Sequence, residues 1–447
     1  MGRKHALLTN DVLTKLKIFV SFVSFVVFRH TLIAALGALI FALLLAGCGR
    51  QPLLSDVSFS KDRITPNADG QDDVLVIRYR LARAADLSIY FLDEAGNRYV
   101  FRDRQPRAPT GEREPYSVYF SGIVDGYTLP GETFEGFTVT QRVLQDGRYT
   151  WVVEATEKNG HTERVTGTLV IAEADTTLPE LRNFTVSPPL FTPNRDGISD
   201  RARFNVFVTK PYASLIVYLL GDDGVRYHVG EDERSPSRPG ERGLHTFDYD
   251  AGVDQGADPP PDGTYTVWAE VQDAMGQRVV ATSTLTIKNG GVPRAYILNA
   301  EVEWSAQSVA LGETLWFTLT VENDSATPIR TSGPPPGTVY ESDQNYATLG
   351  ETIQSGVFRV GIHCENALIN YPWRWAVGDD SVLVKDEEGY IYLPPFTRAI
   401  VTGGIRFVGV EGKRNPQYCW AGLIHEDVEI SSVNDRVDPV FLFIQVP

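Results

Sequence analysis

The sequence predicts an all-β protein, built as three tandem β-sandwiches behind an N-terminal leader. Three observations predict it. The composition combines 39 Gly, 27 Pro, 22 Phe, 19 Tyr and 7 Trp with only two Met, a balance that favours pleated strands and tight turns over helices. Apolar residues alternate with polar ones in short runs separated by Gly, Asp and Pro at intervals of about ten residues, the spacing of a sandwich. One such unit is written twice in succession. The length of 447 residues suits about three domains at roughly 150 residues each.

The leader comes first. Apolar runs cover Ile18 to Phe28 and Leu32 to Ala46, separated by Arg29, His30 and Thr31. A basic start, an apolar stretch of about fifteen residues and small residues before a cut make a secretory signal. Residues 1–47 carry five Lys or Arg and one acid, so the rest of the chain stands at −20 out of a total of −16. That surface repels nucleic acid and anionic lipid, which excludes nucleic-acid partners. Leu45-Ala46-Gly47-Cys48 resembles the lipobox of bacterial lipoproteins. The resemblance implies a signal peptide over 1–47, acylation of Cys48 and a lipidated tether over 48–58. The protein would then sit at the membrane, lipid-anchored on its extracytoplasmic face. The competing reading is a membrane-spanning helix with a spectator Cys48, since the apolar run is nearly long enough to span.

The repeat occupies residues 52–290. Its first copy opens Thr65-Pro66-Asn67-Ala68-Asp69-Gly70-Gln71-Asp72-Asp73, and its second Thr192-Pro193-Asn194-Arg195-Asp196-Gly197-Ile198-Ser199-Asp200. A period-two strand follows each opening, with Leu75, Ile77, Tyr79 and Leu81 on one face in the first copy and Phe204, Val206 and Val208 in the second. Next come hairpins built on Leu87 to Leu92 and Leu215 to Leu220, offset by 128 residues. The closing strands, Gly147-Arg148-Tyr149-Thr150 and Gly263-Thr264-Tyr265-Thr266, are offset by only 116. The first copy therefore carries about twelve extra residues, placed around Tyr127 to Glu132. Domains are expected over 59–174 and 175–290.

The order of these pieces resembles the immunoglobulin-like domain at the C-terminus of the flagellar hook-capping protein. The Pro-Asn-x-Asp-Gly-x-x-Asp opening is similar to that of sandwich domains in bacterial adhesion and gliding proteins. The resemblance implies an immunoglobulin-like fold and a surface location, and no catalytic residues.

Residues 291–447 leave the repeat after Gly290-Gly291-Val292-Pro293. Leu315, Phe317, Leu319 and Val321 alternate with polar neighbours as a half-buried strand. Further strands are expected at Val357 to Cys364, Tyr390 to Leu393, Ala399 to Val408, Tyr418 to Ile430 and Val440 to Val446. Leu393-Pro394-Pro395, Val401-Thr402-Gly403 and Trp420-Ala421-Gly422-Leu423 resemble adhesion-type sandwich modules of bacterial surface proteins.

Four sets of residues carry candidate chemistry. Asn67, Asp69 and Asp73, and likewise Asn194, Asp196 and Asp200, alternate around a Gly as oxygen ligands do in a calcium loop. Both loops lack the acidic first residue and the closing Glu, so calcium competes with an Asx-type turn in which the same side chains bond backbone N–H groups. No other cofactor is expected. Cys364 and Cys419 are an even pair in an exported domain, which suggests a disulfide over two buried free thiols. Trp373 and Trp375 flank Arg374 on a strand, where they either stack on a sugar ring or anchor a protein partner, or else one is core and the other lies under a loop. His425-Glu426-Asp427-Val428-Glu429 begins like a metalloprotease helix but lacks the second His. The chain contains no Gly-x-Ser-x-Gly elbow, phosphate loop or dinucleotide fingerprint, and no enzymatic activity is expected. The expected function is surface display, spacing or adhesion, with envelope proteins, surface proteins or glycans as partners. The alternatives are a carbohydrate- or substrate-binding lipoprotein and an accessory subunit of an envelope complex.

Overall fold

The computed structural model describes residues 51–409 and 414–446. Cys48 and the leader lie outside the described residues. The described residues are all-β: thirty-one strands are joined by turns, and the helical segments among them are three single 3-10 turns. None of the described helices is long and apolar enough to cross a membrane.

Two compact bodies are formed. Of the described residues, the first takes in 51–64, Val74–Phe120 and Gly147–Val170. Its three-stranded sheet orders Leu54–Phe59, Leu75–Leu81 and Tyr116–Phe120. Its second sheet orders Arg63–Ile64, Thr162–Ile171, Gly147–Thr156, Ala85–Leu92 and Arg98–Arg107. Leu75, Ile77, Tyr79 and Leu81 are buried on one face, as the period-two pattern requires. Leu87, Ile89 and Phe91 answer from the other sheet, and Phe91 stacks on Phe120 at 4.4 Å between ring centroids. Each buried side chain of this size contributes roughly 1.5–3 kcal/mol relative to exposure.

The second body contains residues 65–73, 121–146 and the described residues from Ile171 onward. Its first part repeats the same plan: Leu181–Ser187, Ala202–Val208 and Gly243–Tyr249 form a three-stranded sheet. Against it packs a sheet that orders Arg226–Val229, Ser214–Leu220, Gly263–Gln272 and Arg278–Ile287. That sheet does not stop at Arg278–Ile287. The strands Thr138–Val143 and Ile123–Asp125 add to its edge, with Val279 opposite Val139 and Arg278 opposite Gln141. The extra residues of the first copy lie in the connection of this added hairpin. An unpaired edge would expose a row of backbone donors and acceptors, and the hairpin covers it. Phe134, Phe137 and Val139 pack against the core of the second copy. Arg142, 3% exposed, holds the hairpin shut through a bidentate pair with Glu132, Nη1 to Oε2 at 2.5 Å and Nη2 to Oε1 at 2.7 Å.

Residues 291–446 form the rest of this body. One sheet orders Ala295–Ile297, Thr314–Asn323, Arg398–Arg406 and Val339–Glu341. The facing sheet orders Ser308–Ala310, Val437–Gln445, Gln417–His425, Phe358–Cys364 and Trp373–Ala376. Leu315, Phe317, Leu319 and Val321 meet Val360, Ile362, Leu423 and Leu442 in one core. The strand expected to run from Tyr418 to Ile430 ends at His425. Asp427 takes a positive φ of 56°, and the N–H groups of Val428 and Glu429 fold back onto the His425 carbonyl. That turn ends the ladder and frees the side chains around it for other contacts.

Replacing Glu132 by Ala leaves Arg142 buried without its counter-charge. The variant is expected to lose about 2 kcal/mol of stability in urea titration of the whole protein, less than the roughly 3–5 kcal/mol of a fully buried pair because Glu132 is itself partly solvated. A loss below about 0.5 kcal/mol would show that the hairpin is not held by this pair.

Candidate functional site

The two Pro-Asn-x-Asp-Gly loops fold alike. In the first, Asp73 Oδ1 accepts the N–H groups of Asn67 and Ala68 at 3.0 and 2.9 Å, and Oδ2 accepts that of Gly70 at 2.7 Å. Asn67 Oδ1 takes the N–H of Asp69, and Asp69 Oδ1 that of Gln71. In the second, Asp200 takes the N–H groups of Asn194 and Gly197, Asn194 that of Asp196, and Asp196 that of Ile198. Gly70 and Gly197 sit at φ +85° and +82°, where a side chain is strained. The carboxylate oxygens thus cap backbone donors, the arrangement of an Asx turn. No group of three metal-ligating side chains is present among the described residues.

What separates the two loops is their surroundings. Ala68, Asp69 and Gly70 are exposed, whereas Asn194 and Asp196 are only 3% and 5% exposed. Residues of the C-terminal part cover the second loop. The Tyr392 hydroxyl donates to Asp196 Oδ2 at 3.1 Å, and Arg195 pairs with Glu429 at 3.4 Å. The Arg195 carbonyl lies 2.8 Å from His425 Nε2. A carbonyl only accepts, so Nε2 carries the proton. Gly197 and Gly356 pack backbone to backbone: a Cβ on Gly197 would come within 2.1 Å of the Ser355 carbonyl oxygen, and one on Gly356 within 2.0 Å of the Asp196 carbonyl carbon.

This contact perturbs its ionisable groups. Burial, with the nearby charge of Asp196 adding to it, pushes the Asp200 carboxyl up to about 6 against the pull of its backbone donors. Asp196 is also raised, by burial. His425 is held down to about 4 because burial disfavours the imidazolium. It stacks on Phe358 at 4.0 Å between centroids.

The receiving side of the contact is organised from within by Glu426, which is 3% exposed. Arg374 Nη1 donates to both its carboxylate oxygens at 2.7 and 2.8 Å, and Arg359 Nη1 approaches at 3.5 Å. The Glu426 carbonyl accepts from Gly356, and its N–H donates to the Val357 carbonyl. The His425 to Glu429 segment, read in the sequence as an incomplete metalloprotease motif, is therefore the clasp that receives Arg195, while Tyr392 and Gly356 receive Asp196. Its His, its Glu426 and its Glu429 each have a partner there.

Cys364 and Cys419 are joined by a disulfide, and stand directly opposite one another on the neighbouring strands Phe358–Cys364 and Gln417–His425. Trp375 is fully buried, edge-on to Phe317 and Tyr340, with its indole N–H on the Thr338 carbonyl. It belongs to the core, which removes it as a ligand contact. The Trp-x-Trp alternation places both indoles on the inner face of the sheet. Trp373, 4% exposed, lines a cavity of about 480 Å³ at the end of the C-terminal sandwich, together with Gln417 and the segment from Asn366 to Ile369. Gln417 carried no signal in the sequence, because a glutamine at the start of a strand is ordinary.

No protein-family model and no curated protein matches the chain. Among solved structures it is similar to the tetra-tandem repeat in the extending region of a large adhesion protein, at 14% identity over 84% of this chain and 71% of that one, with a TM-score of 0.18. It is also similar to a Ca²⁺-stabilised adhesin that helps an Antarctic bacterium reach out and bind ice, at 14% identity over 79% of this chain and 73% of that one, with a TM-score of 0.22. A third likeness, to the α2-macroglobulin of E. coli in its native conformation, has 10% identity over 89% of this chain and 23% of that one, with a TM-score of 0.18.

Two outcomes follow from the loops and their clasp. Thermal melts in excess Ca²⁺ and in chelator should coincide, because the loop carboxylates already hold backbone donors; a midpoint raised by several degrees in Ca²⁺ would overturn the Asx-turn assignment. The second outcome concerns acid. His425 is depressed in the folded state, so its stabilising contribution is complete above pH 6.5 and is lost as the pH falls toward about 4. Asp200 acts with the opposite sign, its contribution being complete below pH 3.8 and lost as the pH rises to about 6. Comparing wild type with His425→Gln cancels Asp200. The stability difference should shift in favour of wild type by up to roughly 3 kcal/mol between pH 4 and 6.5 and be flat above. A difference independent of pH would show that His425 titrates normally.

Proposed function

We propose that the chain is a lipid-anchored, extracytoplasmic and non-enzymatic surface module, in which the immunoglobulin-like repeats act as a spacer and residues 291–447 carry recognition for display or adhesion. The observation that carries this reading is the clasp. Groups suited to chemistry in the second body are engaged elsewhere: His425 and Asp196 hold the second repeat copy to the C-terminal part, through the bonds of His425 to Arg195 and of Tyr392 to Asp196, while Glu426 is tied to Arg374 and Asp200 to the backbone of its own loop. Firm attachment of a divergent end module to a repeat serves presentation. The leader and the Leu45-Ala46-Gly47-Cys48 sequence support an acylated amino terminus. A substrate- or carbohydrate-binding lipoprotein is the second reading, favoured by the cavity beside Trp373.

Intact mass and fractionation of the membrane-extracted protein test the anchor. The expected mature chain begins at an acylated Cys48, and Cys48→Ala should stay uncut or leave the membrane fraction. A chain that keeps residues 1–47, or a Cys48→Ala variant processed and retained like wild type, would refute it. Adhesion is tested by adding the detergent-extracted full chain to envelope preparations and to whole cells, where saturable binding is expected and its absence would sink the recognition role.

A further inference from the structure

The second copy of the repeat shows, on its own sheet edge, what the first copy leaves open. The larger sheets of the two copies are ordered alike, and Thr162–Ile171 of the first corresponds to Arg278–Ile287 of the second. The C-terminal ends of both strands are covered by short strands, with Val170 N–H donating to the Asp62 carbonyl and Thr286 N–H to the Pro189 carbonyl. Their N-terminal ends differ. Arg278, Val279 and Val280 receive the hairpin strand Thr138–Val143, whereas no strand among the described residues pairs with the outer edge of Thr162–Thr168.

Strand alternation says which backbone groups are free. The Val170 N–H points outward, so the N–H and C=O of Thr162, Arg164, Thr166 and Thr168 point outward too, and all four residues are exposed. Solvent-facing edges are commonly blunted with Pro, Lys, a bulge or an inward-pointing charge. Thr162–Thr168 contains no Pro or Lys, and its inward charge, Glu163, is held by the Leu54 N–H at 3.0 Å and by His161 at 3.2 Å. The Arg164 side chain is turned onto Glu154. The first copy does not need an added strand to close its core. Trp151 lies across Gly167, where a Cβ would come within 2.3 Å of the ring, and stacks on Phe59 at 4.2 Å between centroids. The second copy has Val267 and Ser283 at these two positions, and Phe134, Phe137 and Val139 of the hairpin pack against its core. The open edge therefore belongs to a body whose interior is already filled.

We propose that the outer edge of Thr162–Thr168 accepts an extended strand from another polypeptide, laid antiparallel as Thr138–Val143 is laid on the second copy. Main-chain bonds to the outward groups supply the affinity, and the side chains at alternate positions supply the choice of partner. Glu163 stands where the second copy has Val279, which faces Val139 of the hairpin. The partner strand accordingly carries a polar or basic residue at that register instead of an apolar one. The chain's own hairpin is not the occupant, because it is already paired with Arg278–Val280. A second copy of the chain would have to uncover its own second repeat to supply the strand, which favours a different protein. The edge adds a second recognition surface to the repeat and is independent of the recognition assigned to residues 291–447.

The probe is a synthetic peptide of residues 134–143, the chain's own donor strand, added to the detergent-extracted full chain. It is expected to bind with a Kd below about 1 mM and, at saturation, to slow hydrogen exchange of the Arg164, Thr166 and Thr168 amides about tenfold, with residues 278–284 unchanged. Arg164→Ala keeps the N–H and should bind within about twofold of wild type. Arg164→Pro removes the N–H at an edge position that tolerates proline, so it should bind about tenfold more weakly than Arg164→Ala at a similar melting temperature. A peptide N-methylated at Thr138, which lies opposite Val280 in the second copy, should fail on the unaltered chain, a result that does not depend on how the proline variant folds. Protection over 278–284 instead of 162–168 would show the peptide displacing the chain's own hairpin, and absent binding, or binding indifferent to both the proline and the N-methyl group, would show a closed edge; each overturns the assignment. Sedimentation of the chain alone should report no self-association through this edge. Self-association abolished by Arg164→Pro would make a second copy the occupant and overturn the assignment to a foreign strand. None of these outcomes bears on binding by residues 291–447, so the two readings fail separately.

Discussion

The buried Glu426 carboxylate is the point on which the C-terminal part of the structure turns. A carboxylate taken out of water needs charge and hydrogen bonds to compensate it, and here Arg374 and Arg359 supply both. The consequences spread outward from those bonds. Arg374 also donates to the carbonyls of Tyr371 and Asn370, which shapes the loop leading to Trp373 and its cavity. Arg359 donates to the carbonyls of Ser332 and Thr352, which gathers the segment ahead of the Ser355–Gly356 turn. The backbone of Glu426 pins Gly356 and Val357. The seat for the second repeat loop and the frame of the cavity therefore depend on one ion cluster, which has two arginines and a single shared acid at its centre.

The two copies of the repeat show how one local motif serves two surroundings. Both Pro-Asn-x-Asp-Gly loops satisfy their own backbone through the same Asn and Asp side chains, so neither needs a neighbour to hold its shape. Self-sufficiency lets the second loop work as a preformed plug, because Arg195, Asp196 and Gly197 reach the clasp already ordered and little conformational entropy is lost on contact. Burial then shifts Asp200 and His425 in opposite directions, so acid weakens one contribution while it strengthens the other.

Much of this was legible in the sequence, and the physical reason differs from part to part. Period-two alternation identified the faces of Leu75–Leu81, Ala202–Val208 and Thr314–Asn323, because burial on one side of a pleated strand is a local property. The loop motif and the extra residues of the first copy were likewise visible as pattern and offset. The destination of those extra residues was not: pairing of Thr138–Val143 with Arg278–Ile287 joins positions about 140 apart, and neither strand encodes its partner. The alternation of Trp373 and Trp375 indicated a shared face without saying that the face is the inner one. His425, Glu426 and Glu429 matched a fragment of a catalytic motif whose spacing means something only on a helix, whereas here they lie at the end of a strand and in the turn that follows. Gln417 and the cavity it lines beside Trp373 carried no sequence signal, because a cavity exists only once the surrounding chain has closed around it. Sequence by itself determined strand faces, turn chemistry and repeat order, all set by neighbours along the chain. Only the tertiary structure decided which carboxylates are buried, which loop is covered and where a cavity remains, since those depend on residues that meet across hundreds of positions.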